Sequence, residues 1–218
     1  MREQLGMAGL TIRGGAFFVM ALAAGVGLAQ ADMTFTLGNV PQANEENILL
    51  NSGDTGATVF GTTNQSGLSV SFSSIADTLS APSSGNARIE AVDGLLNDVT
   101  IGVPGGTFTD LILNPFQGTG NATLTVLLIE TDGSTLSSSF TYALGNGQNF
   151  VTLVALNGEL IKSVNLNAPG GFSDLRQPRI SGASTAPAPS TLVMSSILFG
   201  MLGIVWTGKR LKRFAAAA

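Results

Sequence analysis

Apolar and polar residues alternate along much of the chain between positions 68 and 167. Leu68, Val70 and Phe72 are separated by serines, and the apolar residues of 122–128 are separated by threonines. A period of two is typical of a β-strand buried on one face. The same period recurs in 87–91, 136–144 and 164–167, and no stretch of this region sustains a helical period. The middle of the chain is therefore predicted to consist of strands.

Turn-forming dipeptides separate these predicted strands. Asp93-Gly94, Asp132-Gly133 and Asn157-Gly158 favour tight hairpins, and Gly145-Asn-Gly147 favours a further turn. About ten short strands in one domain predict an all-β fold, a jelly-roll-like two-sheet β-sandwich over residues 32–180. An immunoglobulin-like sandwich is the alternative.

The N-terminal region has the three parts of a secretory signal. Basic residues precede an apolar stretch at 16–28, and Ala29-Gln-Ala31 follows with the small-x-small pattern of a cleavage site. Residues 1–31 are thus predicted to be a signal peptide, with the mature chain beginning at Asp32. An uncleaved anchor or a buried helix is the alternative.

The C-terminal region predicts attachment to a membrane. Residues 181–190 form a small, Pro-bearing linker, and 191–208 form a short apolar transmembrane helix. The basic tail 209–218 should remain cytoplasmic by the positive-inside rule. Its basic stop consists of Lys209, Arg210, Lys212 and Arg213. From these features alone, a permanent C-terminal anchor is an open alternative.

This tail resembles a PEP-CTERM sorting domain. The resemblance rests on Pro187-Ala188-Pro189, the Gly-spaced helix and the basic cluster, with Ala188 standing where the family has Glu. It implies export through the inner membrane of a Gram-negative bacterium, with signal peptidase and an exosortase as processing enzymes. It also implies a destination at the cell surface or outside the cell, often beside exopolysaccharide.

Composition excludes several classes of function. Residues 32–185 hold 13 acidic and four basic side chains, a net charge of about −9, which disfavours nucleic acid as a partner. The chain has no Cys and no His, which excludes disulfides, Cys/His zinc sites and His-based catalytic triads. Trp206 lies in the predicted membrane helix and Tyr142 is the only Tyr, so few aromatic side chains are available to stack on sugars.

Acidic residues near the two ends of the domain suggest a structural calcium site. The first and last strands of a jelly roll often lie close together, which would bring Glu45 or Glu46 beside Asp174. Carboxylate and carbonyl oxygens are the ligands that Ca²⁺ prefers. The alternative is a solvated acidic loop, with Asp174 paired to Arg176 or Arg179. No other cofactor is predicted.

Catalysis has little support in the sequence. Glu130 and Asp132 could be a pair of carboxylates for glycoside hydrolysis, but Asp132-Gly133 is better explained by turn formation. We therefore expect a non-enzymatic exported protein of the cell envelope or extracellular matrix, associated with the cell surface or exopolysaccharide. A calcium-assisted, lectin-like carbohydrate-binding module is the alternative.

Overall fold

The computed structural model of the protein describes residues 32–84 and 87–185, and these residues form strands and turns without a helix. The all-β prediction is confirmed for them. The strands are β1 Met33–Leu37, β2 Glu46–Leu49, β3 Thr55–Gly56, β4 Thr58–Thr63, β5 Ser69–Ser73, β6 Leu79–Ser80, β7 Arg88–Ala91, β8 Leu96–Gly102, β9 Gly106–Thr107, β10 Asp110–Gly118, β11 Asn121–Ile129, β12 Thr135–Ala143, β13 Val151–Ala155, β14 Leu160–Ser181 and β15 Ser184–Thr185.

The predicted signal peptide, sorting motif, membrane helix and basic tail lie outside the described residues. Within the described ranges, no helix has the length and apolar character needed to cross a membrane.

The long strand β14 pairs with other strands along both of its edges. Its first half pairs with β11 on one side and β8 on the other, and its second half pairs with β10 on one side and with β7 and then β2 on the other. The hydrogen-bonded path β14–β8–β5–β4–β2 returns to β14, so these strands close around a core. The register with β8 shifts between Asn167 and Phe172, where Gly171 adopts a φ of 70°. Because of this irregularity, β14 pairs with β11 and β8 before the shift and with β10, β7 and β2 after it.

The core follows the predicted alternation. Val70 and Phe72 are fully buried on β5, and the alternate residues of β11 from Ala122 to Leu128 are likewise buried. Phe72, Phe108 and Phe172 are the largest fully buried side chains. Burying each contributes roughly 1.5–3 kcal/mol relative to exposure. The residues of this core lie between Ile48 and Ile180, so the chain from 32 to 185 contains a complete core.

Of the three predicted Asx-Gly hairpins, only Asp132-Gly133 is confirmed, because it joins the paired strands β11 and β12. Asp93-Gly94 joins β7 to β8 and Asn157-Gly158 joins β13 to β14, but neither pair of strands is hydrogen-bonded together, so these two sites are turns and not hairpins. Asn157 and Gly158 connect β13 to β14 with φ values of 52° and 88°, the left-handed pair that a type I′ turn requires. Gly133 has a φ of 84° in the β11–β12 turn, where the Asp132 carboxylate accepts a hydrogen bond from the Ser134 amide.

Strand structure continues past residue 180, where the sequence predicts the end of the domain. Ser181 is buried in β14, and Ser184–Thr185 form β15, which pairs with β9. The Ser184 carbonyl oxygen lies 2.1 Å from the position that a Cβ on Gly106 would occupy, so this pairing depends on a glycine there. The first five residues of the predicted linker are therefore part of the folded domain, and the rest lie outside the described residues.

Candidate functional site

A polar groove lies where β14 passes from β7 to β2. It has a volume of about 560 Å³ and is lined by Asn39, Asn47, Leu49, Asn64, Ala87, Gln177 and Arg179. We call it the arginine–amide groove. A neighbouring depression of about 260 Å³ shares Ala87 and Gln177 and adds Arg88 and Arg176.

The backbone of β14 creates the groove. Its pairing with β7 ends at Arg176, and its pairing with β2 begins at Arg179. Between them Gln177 adopts a φ of 48°, and its amide donates to the Ala87 carbonyl oxygen. The next residue is Pro178, which has no N–H to donate to a neighbouring strand. The two neighbouring strands therefore separate at this point and leave a groove.

Arg179 is held in the groove by residues that precede β2. Its Nη1 atom lies 2.7 Å from Glu45 Oε1, and its Nη2 group donates to the Asn39 side chain. Glu45 is itself fixed because its Oε2 atom accepts from the Gln42 amide at 2.8 Å. Arg179 is thus oriented before any ligand arrives, which lowers the entropy cost of binding.

Arg176 is fixed in the neighbouring depression by two contacts. Its guanidinium forms an ion pair with Asp174, and its Cζ atom lies 3.5 Å from the centre of the Phe116 ring. Arg88 lies opposite Arg176 in the strand pairing and forms an ion pair of 3.2 Å with Glu90. Each arginine of the two depressions therefore has a carboxylate partner, so the region is polar without a large excess of positive charge.

Two side chains of the groove are available to a ligand. Asn47 and Gln177 are exposed, and neither side chain has a hydrogen-bond partner among the described residues. By contrast, the Asn64 side chain is already bonded, because its Oδ1 atom accepts a hydrogen bond of 2.9 Å from the backbone N–H of Asn47. A side-chain amide offers both donors and acceptors, which suits the hydroxyl groups of a sugar.

The three carboxylates of the predicted calcium site are not brought together. Glu45 pairs with Arg179, and Asp174 pairs with Arg176. Glu46 accepts hydrogen bonds from the backbone N–H groups of Ser66 and Gln65, and these hydrogen bonds lower its pKa. No group of three acidic side chains in residues 32–84 and 87–185 is suited to hold a metal ion.

The physical reason is register. Strands β2 and β14 are neighbours, but Glu46 lies opposite Ile180, six residues further along β14 than Asp174, which lies opposite Glu90. The alternative derived from the sequence, an Asp174–Arg176 pair, is the arrangement found.

Glu130 and Asp132 do not form a catalytic pair in a cleft. Asp132 caps the turn through Ser134, and these hydrogen bonds lower its pKa. Glu130 lies beside Glu159, and burial and the charge of Glu159 raise its pKa. Neither residue lines the arginine–amide groove, whose described lining residues include no carboxylate. Glycoside hydrolysis by two protein carboxyls is therefore not supported in this groove.

Tyr142 lies in a separate depression of about 390 Å³ with Asn149 and Phe150. Only 7% of its surface is exposed, and burial raises the pKa of its hydroxyl. The ring therefore offers no open face on which a sugar could stack.

Arg176 and Arg179 were predicted from the sequence only as partners of Asp174, and Asn47, Asn64 and Gln177 were not predicted as site residues. The groove depends on the left-handed conformation of Gln177 and on the register of three strands, neither of which has a signal in the sequence. The sorting residues Pro187, Ala188 and Pro189 lie outside the described residues.

Comparisons with known proteins give a weak likeness. No protein family and no curated protein matches the sequence. Among solved structures, a mutant of the family 29 carbohydrate-binding module CBM29-2 matches with 12% identity and a TM-score of 0.27. The match covers 69% of this chain and 90% of that chain. A family 29 carbohydrate-binding module matches with 13% identity, a TM-score of 0.24 and coverage of 69% and 86%. Scores of this size carry no argument about fold or ligand.

Proposed function

We propose that the protein is a non-enzymatic, exported protein of the cell envelope or extracellular matrix whose jelly-roll-like sandwich binds polysaccharide through the arginine–amide groove. The observation that carries this proposal is the groove itself. It combines a pre-oriented guanidinium with the free side-chain amides of Asn47 and Gln177. Amides and guanidinium groups together recognise sugar hydroxyls by hydrogen bonding.

Charge favours a neutral polysaccharide over an acidic one. The arginines of the groove region are paired with Glu45, Asp174 and Glu90. The 13 acidic and four basic residues of 32–185 give the domain a net charge of about −9, which repels a polyanion. A neutral polysaccharide needs no unpaired arginine for binding and is not repelled by the negative charge of the domain.

The binding experiment compares matched asparagine variants. Neutral and uronate-bearing polysaccharides are titrated calorimetrically into wild type, Asn47→Ala and Asn167→Ala. Asn167 is an exposed residue in the first half of β14, away from the groove. We expect Asn47→Ala to weaken binding of a neutral polysaccharide by roughly 5- to 30-fold, the loss of one or two hydrogen bonds. Equal affinities for the two variants, or binding to no polysaccharide, would overturn the proposal.

Calcium has no part in this proposal, because the three candidate carboxylates already bind arginine or backbone groups. We expect EDTA to leave both the melting temperature and the polysaccharide affinity unchanged. A fall in affinity on chelation that added Ca²⁺ reverses would instead favour a calcium-assisted lectin.

We further propose that the chain is exported by its N-terminal signal and sorted by its PEP-CTERM-like tail. The support is the order of Pro187-Ala-Pro189, the apolar helix and the basic cluster. Intact-mass analysis of the exported protein from a native host tests this proposal. A mature chain that begins at Asp32 and ends near Pro189 is expected, whereas a chain that keeps Trp206 and the basic cluster has a permanent anchor.

A further inference from the structure

The backbone nitrogen of Asp32 is bound by a buried carboxylate. It lies 3.0 Å from Glu159 Oε2 and 3.2 Å from Glu159 Oε1, and Glu159 is only 4% exposed. Two further bonds hold the same residue. Asn157 Nδ2 donates to its carboxylate at 2.8 Å, and the Leu156 amide donates to its carbonyl oxygen at 2.7 Å.

The topology brings three parts of the chain to this point. Met33 at the start of β1 lies opposite Ala155 at the end of β13, and Ile129 at the end of β11 lies opposite Leu160 at the start of β14. The residues preceding β1, the β11–β12 turn and the β13–β14 turn therefore meet at one end of the sandwich. The left-handed Asn-Gly turn sets the direction of the chain just before Glu159.

A second carboxylate lies beside the first. Glu130 Oε1 is buried and has no hydrogen-bond partner among the described residues. Burial raises the pKa of Glu130, and the neighbouring Glu159 raises it further. The amide of Asp32 supplies one donor and no positive charge to these two carboxylates. Two neighbouring carboxylates repel each other when both are ionised, and a backbone N–H group can neither offset that repulsion nor satisfy all of their acceptor atoms.

We propose that Glu159 and Glu130 form a binding site for a primary ammonium group, namely the α-ammonium that signal-peptide cleavage between Ala31 and Asp32 creates. This inference rests on the proposed export of the chain. Cleavage replaces one neutral N–H donor by a cation with three donors at the same position. Charge-assisted hydrogen bonds are about twice as strong as neutral ones. The processed sandwich is therefore more stable than the sandwich in the precursor.

The test compares chains that differ only at their first residue. The segment ending at Thr185, which holds the complete core, is released from a cleavable fusion so that it begins either at Asp32 or at Ala31. The Ala31 form keeps a terminal ammonium but displaces it by one residue. A third form begins at Asp32 and carries an Nα-acetyl group. Each is also prepared with Glu159→Gln.

The melting temperature and the pKa of the α-amino group are measured for each chain. We expect the free Asp32 form to melt roughly 3–6 °C above the Ala31 and acetylated forms, and this difference to vanish with Glu159→Gln. We also expect its α-amino pKa to exceed 9, against an ordinary value of about 8. The comparison of free and acetylated wild type stands even if the Glu159 variant fails to fold.

Equal melting temperatures together with an ordinary α-amino pKa would overturn the inference. This result is distinct from a failure of the proposed processing. The recombinant chains test the carboxylate site whatever the cell does, whereas the intact mass of the exported protein tests the cleavage position.

Discussion

Asp110 should make the protein less stable as the pH rises from 4 to 7. This residue begins β10, is 5% exposed, and lies opposite Ser181 in the register with β14. The Ser181 hydroxyl donates to Oδ2, while Oδ1 has no hydrogen-bond partner among the described residues. Burial raises the pKa of Asp110 to about 6, and the charge of Glu45 acts in the same direction.

The magnitude follows from the difference between the folded and unfolded states. An unfolded Asp titrates near 3.8, and the folded group titrates near 6. Below both values the carboxyl is protonated in both states and contributes no difference. Above both values the folded protein must hold a charged carboxylate in a poorly solvated place. A pKa difference of one unit between the two states corresponds to about 1.4 kcal/mol. The difference between 3.8 and about 6 therefore means that ionised Asp110 lowers the free energy of unfolding by about 3 kcal/mol relative to the protonated group.

Urea denaturation at half-unit steps from pH 4 to 8 measures this effect in wild type and in Asp110→Asn. The amide keeps the size of the side chain and an acceptor for Ser181 but does not titrate. The variant's free energy of unfolding should therefore gain roughly 2–2.5 kcal/mol relative to wild type between pH 4 and 7, because part of the total difference already lies below pH 4. Parallel profiles for the two proteins would refute the reasoning. Asp132→Asn is the control, because the lowered pKa of this exposed carboxyl confines its effect to pH below 4.

Three further outcomes are expected. Gly170→Ala should lower the free energy of unfolding in urea by roughly 1–3 kcal/mol, because its Cβ would lie 2.3 Å from the Thr119 carbonyl oxygen. Gly145→Ala is the control, because a Cβ fits there, and it should change the free energy of unfolding by under about 0.5 kcal/mol. Phe108→Ala should cost about 3–5 kcal/mol in the same assay, and Phe60→Ala, which is 48% exposed, should cost under about 1 kcal/mol. Under the proposed exosortase processing, Ala188→Glu should raise the cleaved fraction of the tail in a pulse-chase experiment, because the family that the tail resembles has Glu at this position. Equal effects within either stability pair, or an unchanged cleaved fraction, would contradict the corresponding argument.

Local signals determined much of the fold. Period-two alternation identified the buried faces of β5, β7, β11 and β12 and of the first half of β14, because solvent exposure alternates with the pleat of a strand. Asn157-Gly158 predicted a tight turn because few other dipeptides accept the left-handed conformation at both positions, but it did not reveal that the strands it joins pair with other strands.

Local signals failed where one residue's role depends on a distant strand. The calcium prediction assumed which residues of the first and last strands would be neighbours, but alternation says nothing about register between strands far apart in sequence. Glu46 consequently lies opposite Ile180 rather than near Asp174. The strand residues beyond position 180 could not be predicted for the same reason, because β15 pairs with β9, which lies far from it in the sequence.

By itself, the sequence determined that the described region is all-β, where several of its turns lie, and that its surface is acidic. Only the tertiary structure decided which polar groups meet: Arg179 with Glu45 in the groove, and Asp32 with Glu159 at one end of the domain. Periodicity and turn propensity act within a few residues of chain. The pairing of side chains separated by more than a hundred residues instead depends on strand register, which the packing of the whole core selects.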